Sequence, residues 1–208
     1  MANDDLYISV EKPSTAEITE KKSRFISNII HTETEEDAVR FIEKIRKQHY
    51  SARHNVYAYI LSNGIKKYTD DGEPSKTGGF PILEMLEKQG ITDVVCVVTR
   101  YFGGTLLGTG GLVRAYTEAA KQGLLASGTV TMKKCALFEI RLSYSLLGSV
   151  EHLLKKHGAM FEDKSYAEEI SLTVSVLWEN APLLTESIKN DFANTVEIYS
   201  KGQVYRKV

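Results

Sequence analysis

Several residue types that direct other folds are scarce in this chain of 208 residues. The only cysteines are Cys96 and Cys135, and no Cys-x-x-Cys pair occurs, which argues against a thiolate zinc site and a disulfide scaffold. No run of about 18 apolar residues occurs, so the sequence predicts no membrane-spanning helix. The N-terminus lacks the basic start and apolar stretch of a signal peptide, and we expect a reduced, cytoplasmic location.

Net charge is also small, because 26 Lys and Arg nearly balance 27 Asp and Glu. A dedicated DNA-binding domain is usually basic, so sequence-specific DNA binding is not expected. A local basic rim with interleaved aromatic residues remains compatible with the sequence. Such a rim is typical of proteins that bind single-stranded nucleic acid, but an ordinary surface with mixed residue types explains it equally well. Its candidate members are Lys66, Lys67, Tyr68, Lys76, Arg100, Tyr101, Phe102 and Arg114.

Hydrophobic patterning predicts an α+β fold with two domains, residues 1–132 and 133–208. In the first domain we expect strands at residues 24–30, 55–61 and 93–98, the last being an apolar run typical of a strand buried on both faces. Helices are predicted after the N-cap residue Thr34, around Pro81 to Gly90, and at residues 112–127. Residues 1–16 are predicted to be loosely held, and residues 62–79 to be a long loop.

The second domain is predicted to be ferredoxin-like, with the order βαββαβ. Strands are expected at residues 136–142, 159–166, 170–178 and 196–199, and helices after Ser145 and Asn180. Residues 170–178 alternate between apolar and small polar side chains, which indicates one buried face and one wet face.

The first candidate site is a glycine-rich turn between a predicted buried strand and a helix. Backbone amides at a helix N-terminus attract anions, and Arg100 at the end of the strand would offer a charged fork to a phosphate or carboxylate. Alternatively, the glycines serve an unusual chain reversal that binds nothing. The predicted ligand-binding residues are Arg100, Tyr101, Phe102, Gly103, Gly104, Gly108, Gly110, Gly111 and Arg114.

The second candidate is an acidic loop that contains Asp70, Asp71 and Glu73. Three carboxylates within four residues repel one another unless they are solvated, paired or bound to a cation such as Mg²⁺. The loop could also meet a basic partner. Taken alone, this segment is best interpreted as a solvated turn without a ligand, because Asp, Gly and Pro all favour turns.

Three further residues, Arg53, His54 and Lys76, are expected to flank the same cleft. His54 and Arg53 come directly before the strand at residue 55, which is predicted to neighbour the strand at residues 93–98. Histidine can act as an acid or base near neutral pH, but His49 and His54 show no metal-ligand spacing. A structural role beside the strand is the favoured interpretation.

Familiar catalytic and nucleotide-binding patterns are absent. There is no phosphate-binding loop ending in Gly-Lys-Ser/Thr, and the dinucleotide fingerprint lacks its third glycine. No Gly-x-Ser-x-Gly elbow occurs. No catalytic residue is therefore predicted, and a protein without enzymatic activity is the favoured interpretation.

Two long sequence strings, however, closely resemble the Impact/YigZ family. They are Asp-Asp-Gly-Glu-Pro-Ser from residue 70, and Val-Thr-Arg-Tyr-Phe-Gly-Gly from residue 98 with its continuation to Tyr116. Arg-His-Asn-x-Tyr-Ala-Tyr from residue 53 and Lys-Ser-Arg-Phe from residue 22 add to this resemblance. It covers nearly the whole chain.

The resemblance implies an N-terminal domain similar to the fourth domain of elongation factor G and a ferredoxin-like C-terminal domain. It also implies a role in translation, because eukaryotic relatives regulate translation on the pathway that senses amino-acid starvation. Two positions depart from the family pattern. Lys76 and Gly78 stand where the family has Gly and Ala, and Leu106 stands where it has a lysine, so a positive charge has moved from position 106 to position 76.

Together these observations favour a non-enzymatic, translation-associated regulatory factor that binds RNA, the ribosome or a translation-related protein. Two alternatives remain open at this point. One is a Mg²⁺-dependent enzyme that acts on a phosphorylated small molecule. The other is a protein–protein adaptor that docks through the open face of the ferredoxin-like sheet.

Overall fold

The structure is a computed structural model that describes residues 5–193 and 195–207. The chain forms two compact units, Tyr7–Thr131 and Met132–Val208, the second of which includes the segment before Tyr7. Each unit is built on an antiparallel sheet, so the predicted α+β fold is confirmed. In the described part of the chain, no helix is long and apolar enough to cross a membrane.

The N-terminal unit contains six strands and three helices among its described residues. The strands are β1 (Leu6–Val10), β2 (Ser14–Glu20), β3 (Ser23–His31), β4 (His54–Ile60), β5 (Lys66–Thr69) and β6 (Val94–Tyr101). The helices are α1 (Glu35–Gln48), α2 (Gly79–Lys88) and α3 (Thr109–Ser127). Thr34 is the N-cap of α1, as predicted, and its side chain accepts a hydrogen bond from the Asp37 amide.

The N-terminal sheet has the strand order β2-β3-β6-β4-β5, with every neighbouring pair antiparallel. The central strand β6 is buried on both faces, as its continuous apolar sequence predicted. Val94, Cys96 and Val98 pack with α2 and α3, whereas Val95 and Val97 pack with α1. Helices therefore cover both faces of this sheet, and β4 is confirmed as a neighbour of β6.

Three strands of this unit were missed by the sequence reasoning. Residues 6–10 and 14–20 form β1 and β2 instead of a loosely held segment, and β5 lies inside the predicted long loop. Residues 1–4 of that predicted segment lie outside the described residues. The strands β2 and β5 are the edges of the sheet and are mostly exposed. Edge strands carry little of the apolar alternation on which such predictions depend.

The C-terminal unit contains β7 (Thr129–Leu142), α4 (Leu147–Lys156), β8 (Met160–Tyr166), β9 (Ile170–Leu177), α5 (Ala181–Phe192) and β10 (Val196–Lys207). The strand order within these four strands is β10-β7-β9-β8. This is the ferredoxin-like βαββαβ arrangement that the sequence predicted. One face of the sheet packs against Val150 and Leu154 of α4 and against Leu184 and Ile188 of α5.

The strand β10 is eight residues longer than its predicted four, because it continues to Lys207. Its register against β7 shifts between Ser200 and Gly202, and Gly202 has a φ of 100°. The first part of the extension is polar and exposed, and only Val204 to Arg206 are half-buried, which is too short a stretch to show an apolar pattern. The bulge allows the strand to continue pairing with β7 beyond the predicted end.

Candidate functional site

The candidate site lies at the edge of the sheet where β3 and β4 begin and β6 ends. Their register places Arg100 of β6 between Phe25 of β3 and His54 of β4. Arg100 and Tyr101 thus belong to the strand, which ends one residue before Phe102, instead of starting the turn. The acidic loop follows β5, which pairs with β4, and the glycine-rich turn follows β6. Strand pairing therefore brings the two predicted segments to the same end of the sheet.

A buried ion pair joins the acidic loop to the end of β6. The Arg100 Nη1 atom donates a hydrogen bond to Glu73 Oε1 at 2.8 Å, and the Tyr116 hydroxyl donates to the same oxygen at 2.7 Å. Arg100 Nη2 lies 3.4 Å from Ser23 Oγ. We refer to Ser23, Glu73, Arg100 and Tyr116 as the buried polar cluster. Through Glu73, the acidic loop is therefore in contact with the end of β6 and with α3.

The environment of Arg100 differs from the one expected of an exposed anion-binding residue. Arg100 is only 6% exposed, and its guanidinium carbon lies 5.5 Å from the ring centres of both Phe25 and Phe102. Its charge is already matched by Glu73. Burial, reinforced by Glu73, raises the pKa of Tyr116 far above its usual range, so its hydroxyl stays a donor. Arg100 therefore has a structural role in the site, because its guanidinium group is not free to bind an external anion.

The two aspartates of the acidic loop point to different internal donors. Asp70 Oδ1 accepts hydrogen bonds from the amides of Gly78 and Gly79 at 2.9 Å each, and Asp70 Oδ2 accepts one from the Lys76 amide at 2.7 Å. Gly78 is the N-cap of α2 and has no side chain to cap it, so Asp70 supplies the capping carboxylate. The loop is thereby attached to the start of α2.

Asp71 fixes the other side of the loop. Its Oδ2 atom accepts from the Asn55 amide at 2.6 Å, and its Oδ1 atom lies 3.2 Å from Nη2 of Arg46. Among the described residues, no group of three or more His, Cys, Asp or Glu side chains is arranged to hold a metal ion. The expected solvated turn is instead a tightly bonded loop, because backbone amides and buried donors satisfy its carboxylates.

His54 lies beside this cluster, as expected, with a defined ring orientation. Its Nδ1 atom is 2.8 Å from the Asp71 carbonyl oxygen, which can only accept, so Nδ1 carries the proton. Its Nε2 atom faces Glu73 Oε1 at 3.9 Å. His49 is separate from the cluster and hydrogen-bonds the Tyr101 hydroxyl through Nδ1 at 3.0 Å. Burial, and to a smaller extent Arg24, lowers the pKa of His49.

The glycine-rich turn is held against the hairpin between β2 and β3. The Gly103 amide donates to Ser23 Oγ at 3.1 Å, and a Cβ atom at Gly103 would lie 2.0 Å from the carbonyl carbon of Lys22. Only glycine fits at this contact. Gly108 has a φ of 73° and is the N-cap of α3, which starts at Thr109 without a capping side chain. The amides at the start of α3 are consequently open to an external acceptor.

Several large or charged side chains surround the buried polar cluster and remain exposed. Phe102 is 52% exposed and Leu106 is 82% exposed. Arg114 is exposed next to Gly110, and Lys22 and Arg53 are exposed beside Gly103 and His54. We refer to Lys22, Arg53, Phe102, Leu106 and Arg114 as the site rim. It contains three residues of the predicted site, Arg53, Phe102 and Arg114, and a partner can reach all five side chains.

Two of the three lysines in the predicted basic rim form surface ion pairs. Lys66 pairs with Glu87 and Lys67 pairs with Glu35, so both charges are matched on the surface near α1 and α2. Lys76 is exposed and its Nζ atom lies over the ring of Phe80 at 5.4 Å.

Two exposed lysines near the site, Lys21 and Lys22, were not among the residues predicted for the basic rim. Lys21 and Lys22 form the two-residue turn between β2 and β3, with φ values of 45° and 68°. The usual signal for such a turn is Asn-Gly or Asp-Gly, which is absent here. Only the register of β2 and β3 could have revealed it.

Comparison with known proteins agrees with both units. The family description "Impact N-terminal domain" matches residues 21–124, and "Domain of unknown function (DUF1949)" matches residues 140–193. A solved structure titled "Crystal structure of an hypothetical protein" superimposes with a TM-score of 0.68 at 29% identity. It covers 93% of this chain and 96% of that one.

Two bacterial relatives extend over most of the chain. "IMPACT family member YvyE" of Bacillus subtilis is 40% identical over 82% of this chain and 79% of its own length. "IMPACT family member YigZ" of Escherichia coli is 35% identical over 75% of this chain and 78% of its own length. The "Protein IMPACT homolog" of Dictyostelium discoideum is 36% identical over 58% of this chain but only 36% of its own length. The chain belongs to the IMPACT family.

Proposed function

We propose that this protein is a translation-associated binding factor that contacts RNA, free or on the ribosome, through the site rim. The family resemblance supports the link to translation. The observation that carries the proposal is the buried polar cluster, which holds the acidic loop and the glycine-rich turn together beneath exposed Phe102 and Leu106. Large apolar side chains displayed on a rigid base are typical of an interaction surface.

The charges of the site rim support RNA as the partner. Lys22, Arg53 and Arg114 are exposed, and the described contacts include no ion pair for any of them. Phosphate contacts need such unmatched cations, and an exposed ring such as Phe102 can stack on a base. The uncapped amides at the start of α3 add further donors. The rim thus combines the two groups that bind single-stranded RNA.

Co-sedimentation with purified ribosomes over a salt series tests this proposal. We expect binding to weaken as salt rises, with a linear slope in a plot of log K against log salt concentration. Lys22→Glu and Arg53→Glu should reduce both the affinity and the slope. Lys44→Glu makes the same charge change on exposed α1, on the opposite face of the sheet, and should leave both unchanged. Binding that is absent at low salt, or that ignores these variants, would reject the proposal.

The Mg²⁺-dependent enzyme has less support from the geometry. Its premise was that Asp70, Asp71 and Glu73 converge on a cation beside an anion-binding turn. Each of these carboxylates instead accepts hydrogen bonds from a different set of internal donors. The same donors would have to be released before these oxygens could bind a metal.

A further inference from the structure

A groove of about 450 Å³ lies along α3, outside the buried polar cluster. One wall is the hairpin between β2 and β3, and the other is the outer face of α3 from Gly111 to Lys121. Ile18 and Val113 are partly exposed in the groove, and buried Leu107 and Ala115 lie among its lining residues. The floor is therefore apolar and open to solvent.

Three cations and two carboxylates lie among the described lining residues of the groove. Lys21, Arg114 and Lys121 are the cations, and the described contacts include no ion pair for any of them. Glu20 and Glu118 are the carboxylates, and Glu118 accepts a hydrogen bond from the neutral side-chain amide of Gln122 at 2.7 Å, which leaves its negative charge in place. An occupant that places negative groups beside the three cations would therefore be complementary to them.

The hairpin wall is firmly placed. Lys21 and Lys22 hold left-handed backbone conformations, and the close contact between Gly103 and Lys22 fixes the turn against the site. Arg114, Glu118 and Lys121 lie at positions i, i+4 and i+7 of α3, which places them along one side of the helix. Both walls are regular elements, so the groove has a defined width before any partner binds.

A protein segment suits the groove better than RNA does. No aromatic side chain lines it, so there is no surface on which a base could stack. A phosphate backbone carries a negative charge at every nucleotide and would bring some of these charges beside Glu20 and Glu118, whereas a peptide can place its acidic groups beside the cations and neutral residues beside the carboxylates. The apolar floor offers a contact for aliphatic side chains.

We propose that this groove binds an extended acidic segment of a partner protein that carries aliphatic side chains. The acidic groups would pair with Lys21, Arg114 and Lys121, and the aliphatic side chains would cover Ile18 and Val113. This goes beyond the RNA contact proposed above, because it assigns an adjoining surface and a different class of partner. Arg114 belongs to both surfaces, but the two proposals can fail independently, since Lys121 and Ile18 are not part of the site rim.

The test uses a fluorescein-labelled peptide of twelve residues in which Asp and Glu alternate with Leu, added to the full chain at low salt. Two matched peptides replace either the acidic residues with Lys or the Leu residues with Ser. Fluorescence anisotropy gives the affinities, and NMR shifts of the Gly111, Val113 and Ala115 amides locate the binding. We expect Lys121→Glu to weaken binding about fivefold, and Lys44→Glu on α1 to have no effect.

Tight binding of the acidic Leu peptide alone, with shifts at these amides and a loss in Lys121→Glu, supports the proposal. Equal binding of the Ser peptide would overturn it, because attraction would then be purely electrostatic. The absence of shifts in the groove, or an equal effect of Lys44→Glu, would also overturn it. Shifts of the same amides with oligo(U) RNA but not with the peptide would assign the groove to RNA instead.

Discussion

The guanidinium of Arg100 lies between the rings of Phe25 and Phe102 and beside the carboxylate of Glu73. In the described contacts, its buried Nε atom has no hydrogen-bond partner. A buried charge that loses its counter-ion is strongly destabilising. At the residue scale, the main role of Glu73 is therefore to stabilise the buried positive charge of Arg100.

This gives a prediction for Glu73→Gln. The amide keeps an acceptor for Tyr116 but removes the charge that neutralises Arg100, so we expect a loss of about 3 kcal/mol in the free energy of unfolding. Tyr116→Phe deletes only one hydrogen bond and should cost about 1 kcal/mol. Urea unfolding followed by circular dichroism measures both. Glu43→Gln on the exposed side of α1 is the control and should stay near the parent value. A Glu73→Gln protein as stable as Tyr116→Phe would contradict this account.

Lys76 illustrates a second effect at the residue scale. It has a φ of 61°, a conformation that glycine adopts without strain. We predict that Lys76→Gly is about 1 kcal/mol more stable than Lys76→Ala. Both variants lose the contact with Phe80, so the comparison isolates the backbone. Equal midpoints of thermal unfolding for the two variants would show that the backbone at residue 76 is not strained.

At the scale of elements, the contact between the glycine-rich turn and the β2–β3 hairpin determines the shape of the site. A methyl group at Gly103 would lie within 2.4 Å of three backbone atoms of Lys22 and Ser23. We therefore predict that Gly103→Ala destabilises the protein by about 1–3 kcal/mol. Hydrogen exchange at residues 20–23 should accelerate with it.

Gly110→Ala is the matched control for that variant. The nearest atom to a new methyl group there is Arg114 Nη1 at 3.7 Å, which is an ordinary contact at the end of a flexible side chain. Alanine in the first turn of α3 should be neutral or slightly stabilising. Similar effects of both substitutions would show that the hairpin contact is unimportant.

The C-terminal sheet makes a prediction about pH. Lys201 and Arg141 bind Glu139 and lower its pKa to about 2 from an ordinary value of 4.5. Because the pKa is lower in the folded protein, this stabilisation is complete above pH 4.5 and is lost as the pH falls toward 2. The difference in melting temperature between the parent and Glu139→Gln should therefore shrink as the pH drops through this range.

Trp178 is the only tryptophan of the chain and reports on this unit by fluorescence. Glu168→Gln, in the exposed turn between β8 and β9, is the control for the substitution itself. A difference between the parent and Glu139→Gln that stays constant from pH 6 to pH 3 would show that the ion pairs of Glu139 do not stabilise the fold.

At the scale of the whole molecule, the buried elements were predictable and the polar ones were not. The apolar run of β6 and the capped helix α1 follow directly from side-chain patterning. The edge strands β2 and β5 and the end of β10 carry little of such a pattern, since most of their residues are exposed. The Lys21–Lys22 turn was not predicted either, because neither lysine is a usual turn residue at that position.

The candidate site could be located from the sequence, but the roles of its residues could not. Glycines and acidic residues marked the two segments, and resemblance joined them. Whether a charged residue is buried depends on its neighbours in the sheet, as the register of Arg100 beside Phe25 and His54 shows. Patterning along the chain does not contain that information, so Arg100 resembled a ligand-binding residue as much as exposed Phe102 did, and exposed Leu106 was not among the predicted site residues.

Hydrogen exchange of the full-length protein, alone and in excess of purified ribosomes at low salt, tests the central claim most directly. This account predicts slower exchange at residues 103–111 and 20–23, with little change at residues 35–44 of α1, which precede the Arg46 contact with Asp71. Protection confined to residues 136–207 would contradict it and favour docking through the ferredoxin-like sheet. Unchanged exchange throughout the chain would contradict ribosome binding altogether.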